Sequence, residues 1–374
     1  MKVLIAPDKF KGSLDAKNVC AAVEAAFIEA KRNVEIIKIA MADGGEGTCD
    51  MLTEFSSGKK IKVTVLDPFF RPIEGAYGIS GDGKTAFVEM ATASGLQLLK
   101  PEERNPMIGT TYGTGQLIAS ALDQGVTSVI LGVGGSATND GGMGMGEALG
   151  AQFYDDRGYK LKPVGENLVA VKSLSLINLH PRLQHVTFTA ICDVNNPFSG
   201  ENGAARVFGP QKGATTKMVE RLDDGLKNFA AVVKEQTGID INFPGAGAGG
   251  GLGGGAKIFL NINFQSGIKF LIDFVGLESL IRESDLVITG EGKMDQQTLS
   301  GKVVKGIADL SKIHDKPLVA IVGKNELTNS EISAMGHNKV VTLINGNTTE
   351  QHALENTFAL VKKRVSEDII PFFL

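Results

Sequence analysis

Six carboxylates, Asp8, Asp43, Glu46, Asp193, Glu291 and Asp295, each follow a predicted strand, in a loop that also carries glycine or proline. In parallel α/β sheets, ligands bind outside the carboxyl ends of the strands. Carboxylates gathered there repel one another unless they hold cations or receive donors from a substrate. Magnesium with a hydroxyl-bearing substrate meets that requirement. Taken singly, each is an ordinary loop cap or turn residue, so the set carries the signal. Lys11, Arg206, Lys212 and Lys302 sit in similar glycine-containing loops and would balance phosphate charge, although each alone reads as a surface cation. The histidines (His180, His185, His314, His337, His352) lie outside the glycine-rich segments, so neither a histidine base nor a His-based metal site is expected. Cys192, beside Asp193, reads as a small buried hydrophobe.

Two glycine-rich segments stand next to these charges. Gly134-Gly135-Ser136-Ala137-Thr138-Asn139-Asp140-Gly141-Gly142 follows a predicted buried strand, Ser128–Val133, and precedes a predicted helix, Met143–Ala151. Its glycines let backbone approach a ligand, and Ser136, Thr138 and Asn139 add side-chain donors. This is a receptor for phosphate or carboxylate, set against an ordinary capped helix entry that would need fewer glycines. The second segment, Gly245–Gly255, is glycine at eight of eleven positions, including Gly249, Gly250 and Gly251. Ordering so permissive a chain costs much entropy, which makes sense for a loop that wraps a ligand or moves on binding. The competing reading is a flexible linker; the apolar, strand-like Ile258–Ile262 just beyond favours a ligand site.

Two motif matches are set aside. Gly78–Thr85 fits GxxxxGK[ST], but the residues after it alternate like a strand, whereas a phosphate loop must lead into a helix. Gly132–Ala137 fits GxGxxA, with Asp155 and Asp156 at the distance a dinucleotide fold expects. That turn runs on through Thr138–Gly142 before a helix can start, which leaves a nicotinamide-dependent oxidoreductase as the weaker alternative.

The elements that must hold these residues read as α/β. Lys2–Ala6 is a short buried strand, 15–31 a helix and Val34–Ala40 a second strand. Near the other end, Leu286–Thr289, Leu318–Val322 and Val340–Ile344 read as strands and Val303–His314 as a helix. Thr349–Asp368 reads as one long closing helix with Leu354, Phe358, Val361 and Val365 inward. The middle differs, beginning with a hairpin of Ile73–Gly78 and Thr85–Met90. Similar grammar at both ends around a different middle predicts two domains. One is a Rossmann-like parallel-sheet domain formed by 1–70 and 281–374. The other is an inserted mixed α/β domain, 71–280, with the active site in the cleft between them.

Bulk properties narrow the function class. A hydrophobic share of 43% with 21% charged residues is ordinary globular composition, so glycine, 47 of 374, is a local signal rather than a bias of the chain. A net charge of −4 with no long basic run argues against nucleic acid or an acidic membrane surface as the partner. The apolar run at the N-terminus is too short for a secretory core. The best apolar stretch, 268–281, is interrupted by Lys269, Asp273 and Glu278, so no membrane span is expected. Three scattered cysteines without a CxxC give neither a disulfide framework nor a zinc site, and a cytoplasmic protein is expected.

Taken together, the segments resemble the type-1 glycerate kinase family nearly end to end. The resemblance rests on Ala6–Ser13 (APDKFKGS), Ala42–Thr48 (ADGGEGT), Gly134–Gly142 and Cys192–Pro197 (CDVNNP). It continues in Phe208–Ala214 (FGPQKGA), the glycine run from Gly245, and Thr289–Gly292 with Asp295, Gln297 and Thr298. Lys9 stands where many members are expected to carry serine, and Asn196 lies at a position expected to vary. The resemblance implies phosphorylation of D-glycerate by ATP with Mg2+, in a two-domain α/β enzyme. The product it favours is 2-phosphoglycerate, related enzymes forming the 3-phosphate. On that footing, the Gly134–Gly142 turn (Gly134, Gly135, Ser136, Thr138, Asn139) holds an anion, either substrate carboxylate or nucleotide phosphate. Asp8, Asp43, Arg206 and Gly249–Gly251 complete the binding surface, with the glycine run over the nucleotide. Asp193 orients or deprotonates the hydroxyl, Lys11 and Lys212 neutralise transferring charge, and Glu291 and Asp295 hold magnesium. Small molecules are the expected partners of a monomer or homodimer. A sugar-acid-binding protein without turnover is the rival, and the clustered carboxylates argue against it.

Overall fold

The computed structural model describes residues 1–31, 33–42, 47–300, 303–336, 338–345 and 348–373, the side chain of Ser300 excepted. Asp43, Glu46, Lys302 and His337, all singled out from the sequence, lie outside the described residues. In chain order the strands are β1 (Lys2–Ile5), β2 (Glu35–Lys38), β3 (Lys59–Leu66), β4 (Pro72–Ile79), β5 (Thr85–Glu89), β6 (Ser128–Gly132) and β7 (Gln152–Tyr154). They continue with β8 (Ser173–Ser175), β9 (Thr187–Ile191), β10 (Asn263–Gln265), β11 (Leu286–Met294), β12 (Leu318–Asn325) and β13 (Lys339–Thr342). The chain is α/β and divides into two compact units, Met1–Asp43 with Gly267–Leu374, and Gly44–Ser266.

The first unit is built on a parallel sheet of order β13-β12-β11-β1-β2. Val3, Ile5, Ile288, Val319 and Ile321 are buried, the near-continuous apolar strands of a sheet covered on both faces. The helix Ala16–Glu29 lays Val19, Val23, Ala26 and Phe27 on this core. It starts where the Asp15 carboxylate accepts the Asn18 N–H at 2.8 Å, an ordinary N-cap. From β1 the chain moves outward to β2 on one side. Much later it moves from β11 to β12 and β13 on the other. The strand order therefore reverses between β1 and β11, the switch point where open α/β sheets place ligands.

Two details of this unit differ from the sequence reading. β11 continues through Met294, so Glu291 lies within a strand rather than in the loop after one. The closing helix is not continuous. It runs Glu350–Glu355, breaks at Asn356, resumes Thr357–Arg364, then passes through a π turn into Ile370–Phe373. The buried face is Ala353, Thr357, Val361 and Val365, a four-residue spacing that runs through the break. Leu354 and Phe358 are left 46% and 40% exposed, not inward as the 3.6-residue pattern predicts.

The second unit holds a mixed sheet, β10-β9-β6-β5-β4-β3, in which β3, β4 and β5 are antiparallel and the rest parallel, plus the small β7-β8 pair. β3 pairs with β4 along its whole length, Lys59 opposite Ile79 and Leu66 opposite Pro72. It thus belongs to this unit, whose edge falls earlier than the expected boundary near 70. Gly81-Asp82-Gly83 turns the β4–β5 hairpin, so the GxxxxGK[ST] match is a hairpin turn. The glycine run is a turn only as far as Gly247. Ala248–Leu260 is helical apart from Gly249–Gly251, and it includes Ile258–Leu260, read from the sequence as a strand. Nearly all of it is buried, packed against Gly141, Gly142 and Phe198. The glycines serve close packing, which composition alone does not distinguish from mobility.

Candidate functional site

In the second unit, β6 delivers the chain to the predicted anion turn. Gly134 and Gly135 are exposed, Ser136 is half-buried, and Thr138, Asn139 and Asp140 are fully buried. Within one turn, buried polar side chains therefore follow two glycines open to solvent. The Asp140 carboxylate fixes the floor. Its Oδ2 accepts the Thr111 N–H at 2.7 Å, the Thr111 hydroxyl at 2.8 Å and the Gly144 N–H at 3.1 Å, while Oδ1 accepts the Gly142 N–H at 3.1 Å. Burial raises the Asp140 carboxyl above its ordinary range, and these donors oppose the rise. Thr111 also accepts the Met145 N–H at 2.8 Å, tying the helix Met143–Ala148 to the turn. No spacing rule pointed to Thr111, which lies 29 residues before its partner.

Lys212 enters from the short 3-10 turn Pro210–Lys212 and is 2% exposed. Its Nζ donates to Ser136 Oγ at 2.6 Å and to the Thr138 carbonyl at 2.7 Å. Burial lowers its pKa to about 7, with the Asp140 charge pulling the other way. An ammonium with two acceptors still has a third proton to donate. Beside it, Thr138 Oγ1 and both polar atoms of Asn139 are buried with no hydrogen-bond partner. Buried polar groups are rarely left unpaired, and each costs roughly 1–3 kcal/mol when it is. A ligand carrying both an anionic group and a hydroxyl would satisfy all of them: the amide N–H groups, the threonine hydroxyl and Lys212 donate to the anion, and Asn139 Oδ1 accepts from the hydroxyl.

The glycine run supports this turn from within the same unit. Gly249, Gly250 and Gly251 all have positive φ, and the Gly141 N–H donates to the Gly250 carbonyl at 3.1 Å. A Cβ on Gly250 would lie 1.9 Å from the Thr138 carbonyl oxygen, so only glycine fits. Arg206 is engaged elsewhere, its Nε donating to Asp223 Oδ2 at 3.3 Å. Asp223 also accepts Lys227 Nζ at 2.8 Å and the Gly200 N–H at 2.7 Å; burial pulls its carboxyl upward, but these donors hold it below its ordinary value. Asp193 is exposed, just beyond β9. Its neighbour Cys192 is half-buried, and burial raises its thiol.

The first unit has its own pocket, of about 330 Å³, at the carboxyl ends of β1, β11 and β12. Asp8, Lys11, Glu291 and Asp295 line it, as do Leu343, Ile344 and Leu354. Thr298, 1% exposed, ties the Glu291 carboxylate to the Asp295 backbone: its hydroxyl donates to Glu291 Oε1 at 2.7 Å and accepts the Asp295 backbone N–H at 3.1 Å. Asp295 lies 3.4 Å from Lys293 Nζ, and Asp8 Oδ1 accepts the Lys9 N–H at 2.7 Å. Among the described residues no three His, Cys, Asp or Glu side chains converge to hold a metal ion. That donor set still suits magnesium, which takes one or two protein carboxylates and completes its octahedron with phosphate and water. Among the described residues no helix is long and apolar enough to cross a membrane.

The chain matches the model of the glycerate kinase family over residues 3–372. It is 46% identical over 324 residues to a protein named glycerate kinase from Haemophilus influenzae, covering 86% of each chain. It is 44% identical over 324 residues to the glycerate 2-kinase of Escherichia coli, covering 86% of this chain and 85% of that one. A chain from Salmonella typhimurium LT2, assigned as a glycerate kinase 2, has a crystal structure similar to this one. The TM-score is 0.89 at 40% identity, covering 100% of this chain and 98% of that chain.

Proposed function

Because the chain belongs to the glycerate kinase family, we propose that it transfers the γ-phosphoryl group of ATP to D-glycerate, forming ADP and 2-phospho-D-glycerate. The observation that carries the substrate half of this reading is the buried set at the anion turn: Lys212 beside the unpaired Thr138 and Asn139. A small hydroxy acid offers a carboxylate to the donors and a hydroxyl to Asn139 Oδ1. In the transfer, the substrate oxygen forms the new P–O bond, the bond to the β-phosphate oxygen breaks, and the hydroxyl proton passes to a base. Asp193 is the residue proposed for that base, or for orienting the hydroxyl. Lys212 neutralises the substrate anion, and Lys11 the transferring phosphoryl charge. Asp8, Glu291 and Asp295 are the groups that would hold magnesium, which neutralises phosphate charge when bound. Both substrates are small and soluble, consistent with a cytoplasmic enzyme.

The test is to mix the chain with Mg·ATP and D-glycerate and follow ADP release. Phosphorus NMR of the product then reads the position of the new phosphate. ADP production with phosphate on the 2-oxygen is expected. No glycerate-dependent ADP would reject the reading, and phosphate on the 3-oxygen would correct its product.

A further inference from the structure

We infer that the nucleotide binds in the pocket of the first unit, with its base on the apolar wall formed by Leu343, Ile344 and Leu354 and its phosphates toward Lys11, Glu291 and Asp295. The inference rests on the kinase reading and assigns its larger substrate to one place. Three observations carry it. The pocket lies where the strand order reverses between β1 and β11, so two loops diverge there and leave a crevice at the sheet's carboxyl edge. Its volume, about 330 Å³, is within the range of small-molecule pockets, and its lining combines apolar with charged side chains, as a nucleotide combines a base with phosphates. Finally, the glycine run expected from the sequence to cover the nucleotide is filled by its own protein. Gly250, Gly251, Gly254 and Gly255 are buried against Thr138, Phe198 and Gly141, which leaves no room for a purine.

The wall also explains an otherwise misplaced residue. Leu354 is 46% exposed, beside the buried Ala353, and it lines the pocket instead of the core. An apolar side chain held there offers a purine a surface. The carboxylates of the same lining would repel bare phosphates, so binding by this pocket requires the nucleotide as its magnesium complex.

Photolabelling the full chain with 8-azido-ATP and magnesium tests the assignment directly. Label that ATP competes away is expected within residues 343–357. Label within 134–142 or 245–260 would overturn it. Calorimetry with ADP and magnesium gives a second reading on Leu354→Glu, a change at a largely exposed side chain. A negative charge beside the nucleotide should weaken ADP by about tenfold or more while leaving the KM for D-glycerate unchanged. Wild-type ADP affinity in this variant would overturn the inference. Asn139→Ala should do the reverse, raising the glycerate KM and sparing ADP. If the wild-type chain takes the label at 343–357 but makes no ADP from D-glycerate, the acceptor reading fails and the nucleotide site stands.

Discussion

The anion turn of the second unit and the pocket of the first are built on opposite principles. The turn works through buried polar groups. Its Lys212, Thr138 and Asn139 are buried, their desolvation is met on folding, and three polar atoms wait without partners. The pocket is an open crevice of about 330 Å³ whose carboxylates and lysines are already paired or close to one another and whose lining adds Leu343, Ile344 and Leu354. The contrast matches the ligands proposed for each. A three-carbon acid has little surface to bury, so affinity must come from a few strong, pre-oriented polar contacts. A nucleotide brings area and charge of its own, and needs a shaped wall and a way to hold its metal.

Breaking the turn should cost the most. Lys212→Met removes a buried cation from the anion site and should lower kcat/KM by about 10²–10³, measured in an ADP-release assay. A loss below about tenfold would mean that Lys212 is a structural tether for Ser136. Next comes Asp193→Asn, expected to lower kcat by about a hundredfold. Turnover near wild type would show that the exposed Asp193 is not the base. The smallest effects concern the glycine backbones, and there the two units should again differ. Gly250→Ala meets both a φ of +74° and the Thr138 carbonyl at 1.9 Å, so it should lower stability by more than about 2 kcal/mol and weaken glycerate binding. Gly12→Ala in the first unit has a similar φ of +78° but nothing within 4 Å, and should cost only about 1 kcal/mol in denaturant unfolding. Equal losses would remove the argument that the glycine run supports the turn.

Much of this contrast could be read from the residues. The strands at both chain ends, the hairpin at Gly81–Gly83, and the turn at Gly134–Gly142 follow from apolar periodicity and turn chemistry, and they fall where expected. The role of the second glycine run did not. Glycine permits both a mobile loop and a tightly packed helix, and only the neighbours of Gly250 and Gly255 decide between them. Nor did composition reveal that Arg206 is spent on Asp223, or that Thr111 and Thr298 hold the working carboxylates, because those partners meet through the fold. The inner face of the last helix was misassigned at Leu354 and Phe358 because Ala353 and Thr357, one residue earlier, share the four-residue spacing to Val361 and Val365, and an apolar pattern favours the larger side chains.

The central claim is that a charged Lys212 in the anion turn holds the substrate, and calorimetry of D-glycerate binding between pH 6 and pH 9 tests it most directly. The Lys212 pKa is lowered to about 7, so the ammonium is present below that pH and lost above it, while the glycerate carboxylate stays ionised throughout. Binding should be level below pH 7 and then weaken by about tenfold per pH unit, with a proton taken up on binding. In Lys212→Met the affinity should be low and independent of pH. A wild-type affinity that stays level from pH 6 to pH 9, or a Lys212→Met variant that keeps the same slope, would contradict the account.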